Sequence, residues 1–454
     1  MQKPLLAVLI ASAFSLHANA ADLIQVYRQA LANDATYASA RASLAAGQER
    51  TTQGRAGLLP NIFASGNYGR SNSDNSPWNE GSTFKDEFGV THTVTGTSGS
   101  SKAATYSITL TQPLFRWDRW ETYQQSKLSQ SIAEATFAQA QQDLITRVAQ
   151  AYFDVLAAQD TLETVRAQKT ATTEQLASAK RNFEVGTQTI TDTHEAQAAY
   201  DLVVAQEFAA VNDLEVKRTA LQQIIGTAPA SLATLKPGVT LTAPAPAVID
   251  PWVSSAENQN YAVTAAQLNY EIAKRDISRN RAGHYPTLDL QAQSSRTKVF
   301  GSDSGSGTST DKSIGVAWNI PIFSGFSVTS KVRESIALED KARNDLEATR
   351  RQAAQNARQA FLGVNSGMAQ VKALEAAEVS SQSALESNKL GYQVGVRINI
   401  DVLNAQRQLY STRRDLAAAR YNTIMAGLRL KAAAGTLKEA DLEPINALLQ
   451  QTAQ

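Results

Sequence analysis

The chain is written twice. Val185-Gly186-Thr187 returns 209 residues later as Val394-Gly395-Val396, and the same offset carries Asp192 onto Asp401, Gln197 onto Gln406 and Gly226-Thr227 onto Gly435-Thr436. An apolar seam keeps that register: Ile145, Val148, Tyr152, Val155, Gln159 and Leu162, spaced 3,4,3,4,3, correspond to Ala354, Ala357, Phe361, Val364, Met368 and Val371. Arg55-Ala56-Gly57-Leu58-Leu59-Pro60 likewise matches Arg281-Ala282-Gly283-His284-Tyr285-Pro286. Self-similarity at a long fixed period means one structural unit used twice, so any fold must carry an internal two-fold repeat.

The start of the chain reads as an export signal over residues 1–20. Lys3 supplies the positive end, Leu5 to Leu16 an apolar core, and Ala18-Asn19-Ala20 a small-residue cleavage site. The apolar run is too short for a spanning helix, and no later stretch approaches the roughly 20 apolar residues that one needs. A chain of this kind enters a membrane by strands. It contains no Cys, so neither a disulfide framework nor a lipidated Cys after the signal is expected. Forty-three basic residues against 42 acidic ones leave a net charge of +1, which gives nucleic acid no electrostatic footprint.

Residues 22–58 and 254–285 are helix-prone, with Asp22 as N-cap and Gly57-Pro60 and Gly283-Pro286 as stops. After each Pro the period changes from 3.6 to 2. Ile62, Ala64, Gly66 and Tyr68 share a face; so do Tyr106, Ile108 and Leu110, then Leu288, Leu290 and Ala292, then Ile314, Val316, Trp318 and Ile320. This pattern predicts four strands of about ten residues in two hairpins, 60–115 and 286–323, each apolar on one side. Polar loops are expected over 71–104 and 295–312, and each hairpin should close on a turn, Pro113-Leu114-Phe115 and Pro321-Ile322-Phe323. Such strands suit either an outer-membrane barrel or the edge of a soluble sandwich.

Helices over 117–185 and 325–393 follow, with no Pro in either. At 1.5 Å per residue each spans roughly 100 Å, longer than a globular domain requires and suited to a tube across the periplasm. The Val-Gly turns come next, then helices over 189–225 and 398–434. Their lengths imply that two shorter helices stack end to end against each long one. The expected organisation is a first repeat over 21–226, a Pro/Ala-rich linker over 227–253, a second repeat over 254–435 and a tail over 436–454, with linker and tail outside the helical wall. Four strands cannot close a membrane barrel, because open edges are not tolerated in lipid and small bacterial barrels start at eight strands. The chain is expected to pool strands with copies of itself, with Tyr68, Tyr106 and Trp318 in an interfacial aromatic girdle.

The export signal, the doubled helix–hairpin–helix unit and the run Gly391-Tyr392-x-Val394-Gly395-x-Arg397-x-x-x-Asp401-Val402-Leu403 closely resemble the TolC-type outer-membrane channel-tunnel family over essentially the whole mature chain. The resemblance implies a mainly α fold with a small β part: a homotrimer whose 12-stranded outer-membrane β-barrel continues into a long periplasmic α-helical barrel. It implies a passive exit duct of a tripartite export system, for proteins (type I secretion) or small toxic compounds. Its partners would be a periplasmic adaptor (membrane fusion) protein, an inner-membrane pump driven by ATP or protons, and outer-membrane lipid. Tyr392 and Arg397 would hold the inner end shut through Asp192. Asp401 would line the pore constriction, concentrating negative potential and favouring cations. Where the family commonly has a second Asp, one turn on, this chain has Asn404, which halves the expected ring charge. Val185, Gly186, Thr187 and Val394, Gly395, Val396 would be the tips that an adaptor contacts; both Gly residues also suit helix termination. Tyr106, Ile108, Leu110, Ile314, Val316 and Trp318 would face lipid.

Catalysis finds little support in these residues. The four His, His17, His92, His194 and His284, are isolated, and metal-ligand spacing is absent, so no metal and no cofactor is expected. Gly301-Ser302-Asp303-Ser304-Gly305-Ser306-Gly307 lies between two strands and lacks the Lys-Ser/Thr of a phosphate loop. The alternative to a duct is a structural or adhesive periplasmic coiled-coil protein with no pore. The alternating strands and the doubled architecture favour the duct.

Overall fold

The computed structural model describes residues 20–229, 231–302 and 305–450. The expected signal, apart from Ala20, lies outside them. In chain order the elements are α1 (Leu23–Asn33), α2 (Ala35–Ala56), β1 (Asn61–Asn75), the short pair β2 (Thr83–Lys85) and β3 (Thr91–Thr93), β4 (Thr97–Phe115), α3 (Trp117–Glu184), α4 (Ile190–Ile225), β5 (Thr234–Leu235), α5 (Asp250–Gln259), α6 (Tyr261–Arg281), β6 (Thr287–Ser302), β7 (Gly305–Asn319), α7 (Ser327–Gln393), α8 (Asn399–Ala433), α9 (Leu442–Asn446) and β8 (Leu449–Gln450). A helix pair, a long strand pair, a very long helix and a shorter helix thus succeed one another in each half.

The long helices match expectation closely, at 68 residues for α3 and 67 for α7. The first helix of each half does not run unbroken. Asp34 separates α1 from α2, and Asn260 separates α5 from α6. The Asp34 carboxylate accepts from the Tyr37 amide at 2.6 Å, and Asn260 Oδ1 accepts from the Ala262 amide at 2.9 Å, so each residue caps the helix that follows it. Each break also seals the end of another helix. Asn33 Nδ2 donates to the carbonyl of Ile225, the last residue of α4, at 2.9 Å; Asn260 Nδ2 donates to that of Ala433, the last of α8, at 3.0 Å. Gly435, at φ 74, passes so close to this junction that a Cβ there would lie 2.3 Å from the Gln259 carbonyl. Helices α4 and α8 therefore end where α2 and α6 begin, as the end-to-end stacking required.

By contacts the chain divides into two units, one comprising residues up to Ala46, Ile132–Gln267 and from Asn344 on, the other Gly47–Ser131 and Leu268–Arg343. The second unit holds one antiparallel sheet in the order β1-β4-β6-β7. Its strands have 15, 19, 16 and 15 residues, longer than expected. Most of the predicted polar loops is strand: Ser, Thr, Asn and Gly continue the pairing after the alternation fades, because both faces there are polar. Pro113-Leu114-Phe115, expected as a turn, is the end of β4, with a register shift between Pro113 and Phe115. Proline has no N–H for the ladder, and a bulge absorbs the lost bond. Pro321-Ile322-Phe323 does lie outside the strands, and Gly325 and Phe326, both at positive φ, lead into α7.

The register puts the predicted apolar positions on one side of the sheet, except Ile320, which lies just past the end of β7. One row reads Ile62, Leu110, Ala292, Ile314. The apolar band crosses the rows obliquely. Ala64, mid-run in β1, pairs with Ile108, whereas Val316, mid-run in β7, traces through Leu290 to Gln112, four residues further along β4. Four residues at about 3.3 Å across three strand spacings of about 4.8 Å correspond to a strand tilt of roughly 40–45°, the value typical of membrane barrels. Among the described residues neither β1 nor β7 pairs with a further strand, and these four strands form no closed barrel.

The first unit is built on the predicted seam. Ile145, Val148, Tyr152, Val155 and Leu162 are buried, as are Ala354, Ala357, Phe361, Val364 and Val371 in α7. The main cluster joins α1, α3, α4 and α8 through Leu23, Tyr27, Phe153, Leu221 and Met425. Residues of the linker and tail pack into the same cluster. Leu232, Ala233, Leu437, Leu442 and Leu449 are buried there, β5 pairs with β8, and Tyr152 Oη donates to the Ala233 carbonyl at 2.7 Å. Tyr421 stacks on Phe153 and donates to Asp160 Oδ2 at 2.6 Å. Burial pushes the Asp160 carboxyl above the usual carboxylate range, and the Tyr421 hydrogen bond draws it only partly back. Asp34 takes the opposite course: burial opposes its ionisation, but hydrogen bonds from Arg147 and the Tyr37 amide outweigh that and hold its carboxyl low.

Candidate gate at the coil tips and candidate lipid face

Each tip is a helix stop built on one glycine. Gly186, at φ 75, donates to the Phe183 carbonyl, and Thr187 donates to Asn182; Gly395, at φ 81, donates to Tyr392, and Val396 to Gly391. These paired bonds close both helices in the same left-handed C-terminal motif, which a residue with a Cβ adopts only at a cost. The turns present apolar side chains to solvent. Val185, Val394 and Val396 are 72%, 65% and 76% exposed.

The predicted gate residues lie close together but join differently from the expectation. Tyr392 Oη donates to Gln188 Oε1 at 2.6 Å, and Asn182 Nδ2 lies 3.5 Å from the same hydroxyl. Arg397 faces Asp401 along its own segment at 3.6 Å, an exposed pair worth a few tenths of a kcal/mol. The Asp192 carboxylate is occupied at home, accepting from Thr189 Oγ1 at 2.8 Å and the Thr189 amide at 3.1 Å in a capping box. Within one chain, neither Tyr392 nor Arg397 bonds that carboxylate.

What reaches Asp192 is Asn399, which is not among the residues expected at the gate. It is fully buried, donates to the Asp192 carbonyl at 3.1 Å and accepts from Gln175 Nε2 at 2.7 Å. One amide thereby ties α8 to both α3 and α4. The legible signal was a polar residue in an apolar seam: Asn399, Leu403, Gln406 and Tyr410 follow at spacings 4,3,4 and all are buried. Helix α8 begins at Asn399, so Asp401 stands in its first turn, where the N-terminal dipole favours a carboxylate. Asn404, exposed one turn on, accepts from Arg407.

On the sheet, Tyr106, Ile108, Ile314, Val316 and Trp318 are all more than half exposed, and Leu110 is half-buried. The opposite side carries Ser107, Thr109, Thr111, Gln291, Gln293 and Ser313. Asp289, buried on that side, receives both Nε and Nη2 of Arg116 at 3.1 and 2.5 Å. No helix among the described residues is long and apolar enough to cross a membrane.

A sheet with one apolar face, strands tilted as in barrels and two free edges, joined in sequence to helices of nearly seventy residues, defines a channel protein of the outer membrane. A family profile described as "Outer membrane efflux protein" matches the chain twice, over residues 26–227 and 252–436. The outer membrane protein TolC of Vibrio cholerae is 33% identical over 95% of this chain and 94% of its own. The alkaline protease secretion protein AprF of Pseudomonas aeruginosa is 30% identical over 94% of this chain and 86% of its own. Among solved structures, the outer membrane protein VceC of Vibrio cholerae superposes with a TM-score of 0.75 over 91% of this chain and 96% of its own, at 20% identity, which establishes a shared fold. The chain belongs to the outer membrane efflux protein family. Its place is the outer membrane of a Gram-negative cell, and the family is one of channels.

Proposed function

We propose that this protein is a passive homotrimeric exit duct, in which three four-stranded sheets close one 12-stranded barrel and the helices of three repeated chains line a periplasmic tube. The observation that carries the proposal is the sheet itself. Its apolar face needs lipid, its two free edges need partners, and neither need is met within one chain. The matching order of elements in the two halves supports one structural unit used twice.

The tips serve as the gate. Within a chain, the link from Tyr392 to Gln188 holds the end of α7 to the α3–α4 turn, and the links from Asn399 to Gln175 and Asp192 hold α8 to α3 and α4. Arg397, held only by its exposed pair with Asp401, is available for contacts between chains, and Asp401 lines the narrowest ring. The exposed valines of both turns receive a periplasmic adaptor (membrane fusion) protein, which connects the duct to an inner-membrane pump. Likeness to AprF favours protein as cargo; a passive duct also passes small toxic compounds, the pump choosing between them. Mass measurement of the detergent-solubilised protein, with conductance in planar bilayers, tests the proposal. A trimer that conducts supports it, and a stable monomer overturns it.

A further inference from the structure

Charge on the four long strands is sorted by face. Arg70, Lys102, Arg296, Lys298 and Lys312 all occupy the side that carries Tyr68, Tyr106, Ile108 and Ile314, because pairing joins Tyr106 to Arg296, Ala104 to Lys298 and Ser294 to Lys312, and Arg70 to Lys102. The opposite side carries Asp289 and Asp311 and no basic residue. On the basic side the strands hold one carboxylate, Asp74, four residues beyond Arg70. All five basic side chains are exposed, and none has an ion-pair partner among the described residues. Five uncompensated cations on the face that meets lipid would be costly within hydrocarbon, so their depth matters.

Their depth follows from the register. On every strand the basic residue lies on the loop side of the apolar run: Arg70 after Tyr68, Lys102 before Ala104, Arg296 and Lys298 after Ala292, Lys312 before Ile314. Traced onto β4, Lys312 falls level with Ile108, Arg296 with Tyr106, Lys298 with Ala104, and Arg70 with Lys102. This line slopes in the same sense as the apolar band, so on tilted strands the cations fall in one zone at the loop end of that band. They lie four to eight residues from the mid-run residue of their own strand, six on average, on the order of 15 Å along the membrane normal, at the edge of an apolar belt about 25 Å tall. Tyr68 and Tyr106 stand between belt and cations, and Lys298 Nζ lies 4.9 Å from the Phe300 ring centroid. Beside them is a shallow groove of about 530 Å³ lined by Ala64, Gly66, Tyr106, Ile108, Ser294 and Arg296. It has an apolar floor and a guanidinium at one end.

We propose that this collar binds the phosphorylated headgroup of a lipid in the leaflet on the loop side, with an acyl chain in the Gly66–Tyr106 groove and phosphate on Arg296, Lys298 and Lys312. The inference rests on the reading of this face as lipid-facing. Guanidinium and ammonium groups at a headgroup boundary recognise phosphate, and each basic group near an anionic surface contributes about 1 kcal/mol. Replacing three should weaken retention roughly 100-fold.

The test uses the intact detergent-solubilised protein and native mass spectrometry with lipid A, with lipid A stripped of its phosphates, and with inorganic phosphate as competitor. The expected result is retention of lipid A, loss of that retention on dephosphorylation, survival against inorganic phosphate, and a roughly 100-fold weakening in R296Q/K298Q/K312Q. A separate arm reconstitutes the same proteins in phosphatidylcholine with brominated chains and follows the Trp318-dependent fluorescence, defined by Trp318→Phe. Quenching in both the parent and the triple variant keeps the face in lipid. Equal retention of lipid A and its dephosphorylated form, or by parent and triple variant, with quenching intact, overturns the collar alone. Absence of quenching overturns the lipid-facing assignment itself.

Discussion

The tie at Asn399 offers the sharpest test of how the tips are held. Asn399→Ala removes a fully buried amide that accepts from Gln175 Nε2 at 2.7 Å and donates to the Asp192 carbonyl at 3.1 Å. Gln175 is itself buried, so its amide would lose its partner without gaining water. The Asp192 carbonyl lies in the first turn of α4 and keeps its place in the helix ladder. One stranded buried donor costs about 1–3 kcal/mol, and the lost bond to the carbonyl about 1. The arrangement that contains the tie should therefore lose about 2–4 kcal/mol relative to one that lacks it, a shift of roughly 30- to 900-fold in their ratio. Single-channel recording in planar bilayers should show a higher conductance or open fraction, with the trimer band on gels unchanged. The double variant Gln175→Leu with Asn399→Leu removes both partners, leaves nothing stranded, and should recover much of the closed behaviour. Asn399→Ala that conducts like the parent while still trimeric would refute the reasoning, as would a double variant more open than the single one.

Four further outcomes are expected. Tyr392→Phe with Arg397→Ser removes the donor to Gln188 and the partner of Asp401, and should raise conductance sharply without altering the trimer, read in the same recordings. Asp401→Asn should weaken cation preference in reversal-potential measurements and reduce block by trivalent cations, without itself opening the pore. Val316→Arg, at the middle of the apolar band, should cost roughly 2–4 kcal/mol and reduce assembled protein in outer-membrane fractions; normal assembly would move Val316 out of the bilayer. Tyr421→Phe removes the one hydrogen bond that favours ionised Asp160, whose carboxyl burial already holds high. A raised carboxyl destabilises the fold increasingly as pH rises through the unfolded value towards the folded one, so the variant should lose more thermal stability at neutral pH than below the ordinary carboxylate range. An equal loss at both would remove Asp160 from the explanation.

The long helices were legible because their limits are set locally. Gly186 and Gly395 must stop them, and no Pro intervenes. The sheet face was legible because its period is two. The breaks at Asp34 and Asn260 were not, since Ala- and Arg-rich sequence on both sides still favours helix; the break is decided by what each side chain meets, Arg147 and the amides in one case and the end of α8 in the other. Strand ends were missed where Ser, Thr and Gly extend the ladder with both faces polar. Strand tilt and the charge collar needed the register, which no single strand encodes. At the tips the residues picked out by the sequence lie close together, but the hydrogen bonds within one chain join other partners. Tyr392–Gln188 and Asn399–Gln175 join residues more than two hundred positions apart, and several amides near each tip could have served.

The two unpaired edges of the sheet have a consequence for inheritance. If the outer strands β1 and β7 are completed by other copies, as proposed, each chain depends on the quality of every copy it meets. In a cell making sound and defective subunits in equal amount, random association into threes leaves only about one assembly in eight wholly sound. A lesion on β1 or β7 that blocks pairing outright would drop out of assembly and act recessively. A lesion at the tips, which spares pairing, would enter most assemblies and act as a dominant allele. Co-expression with the parent gene would separate the two classes without a structure of either variant.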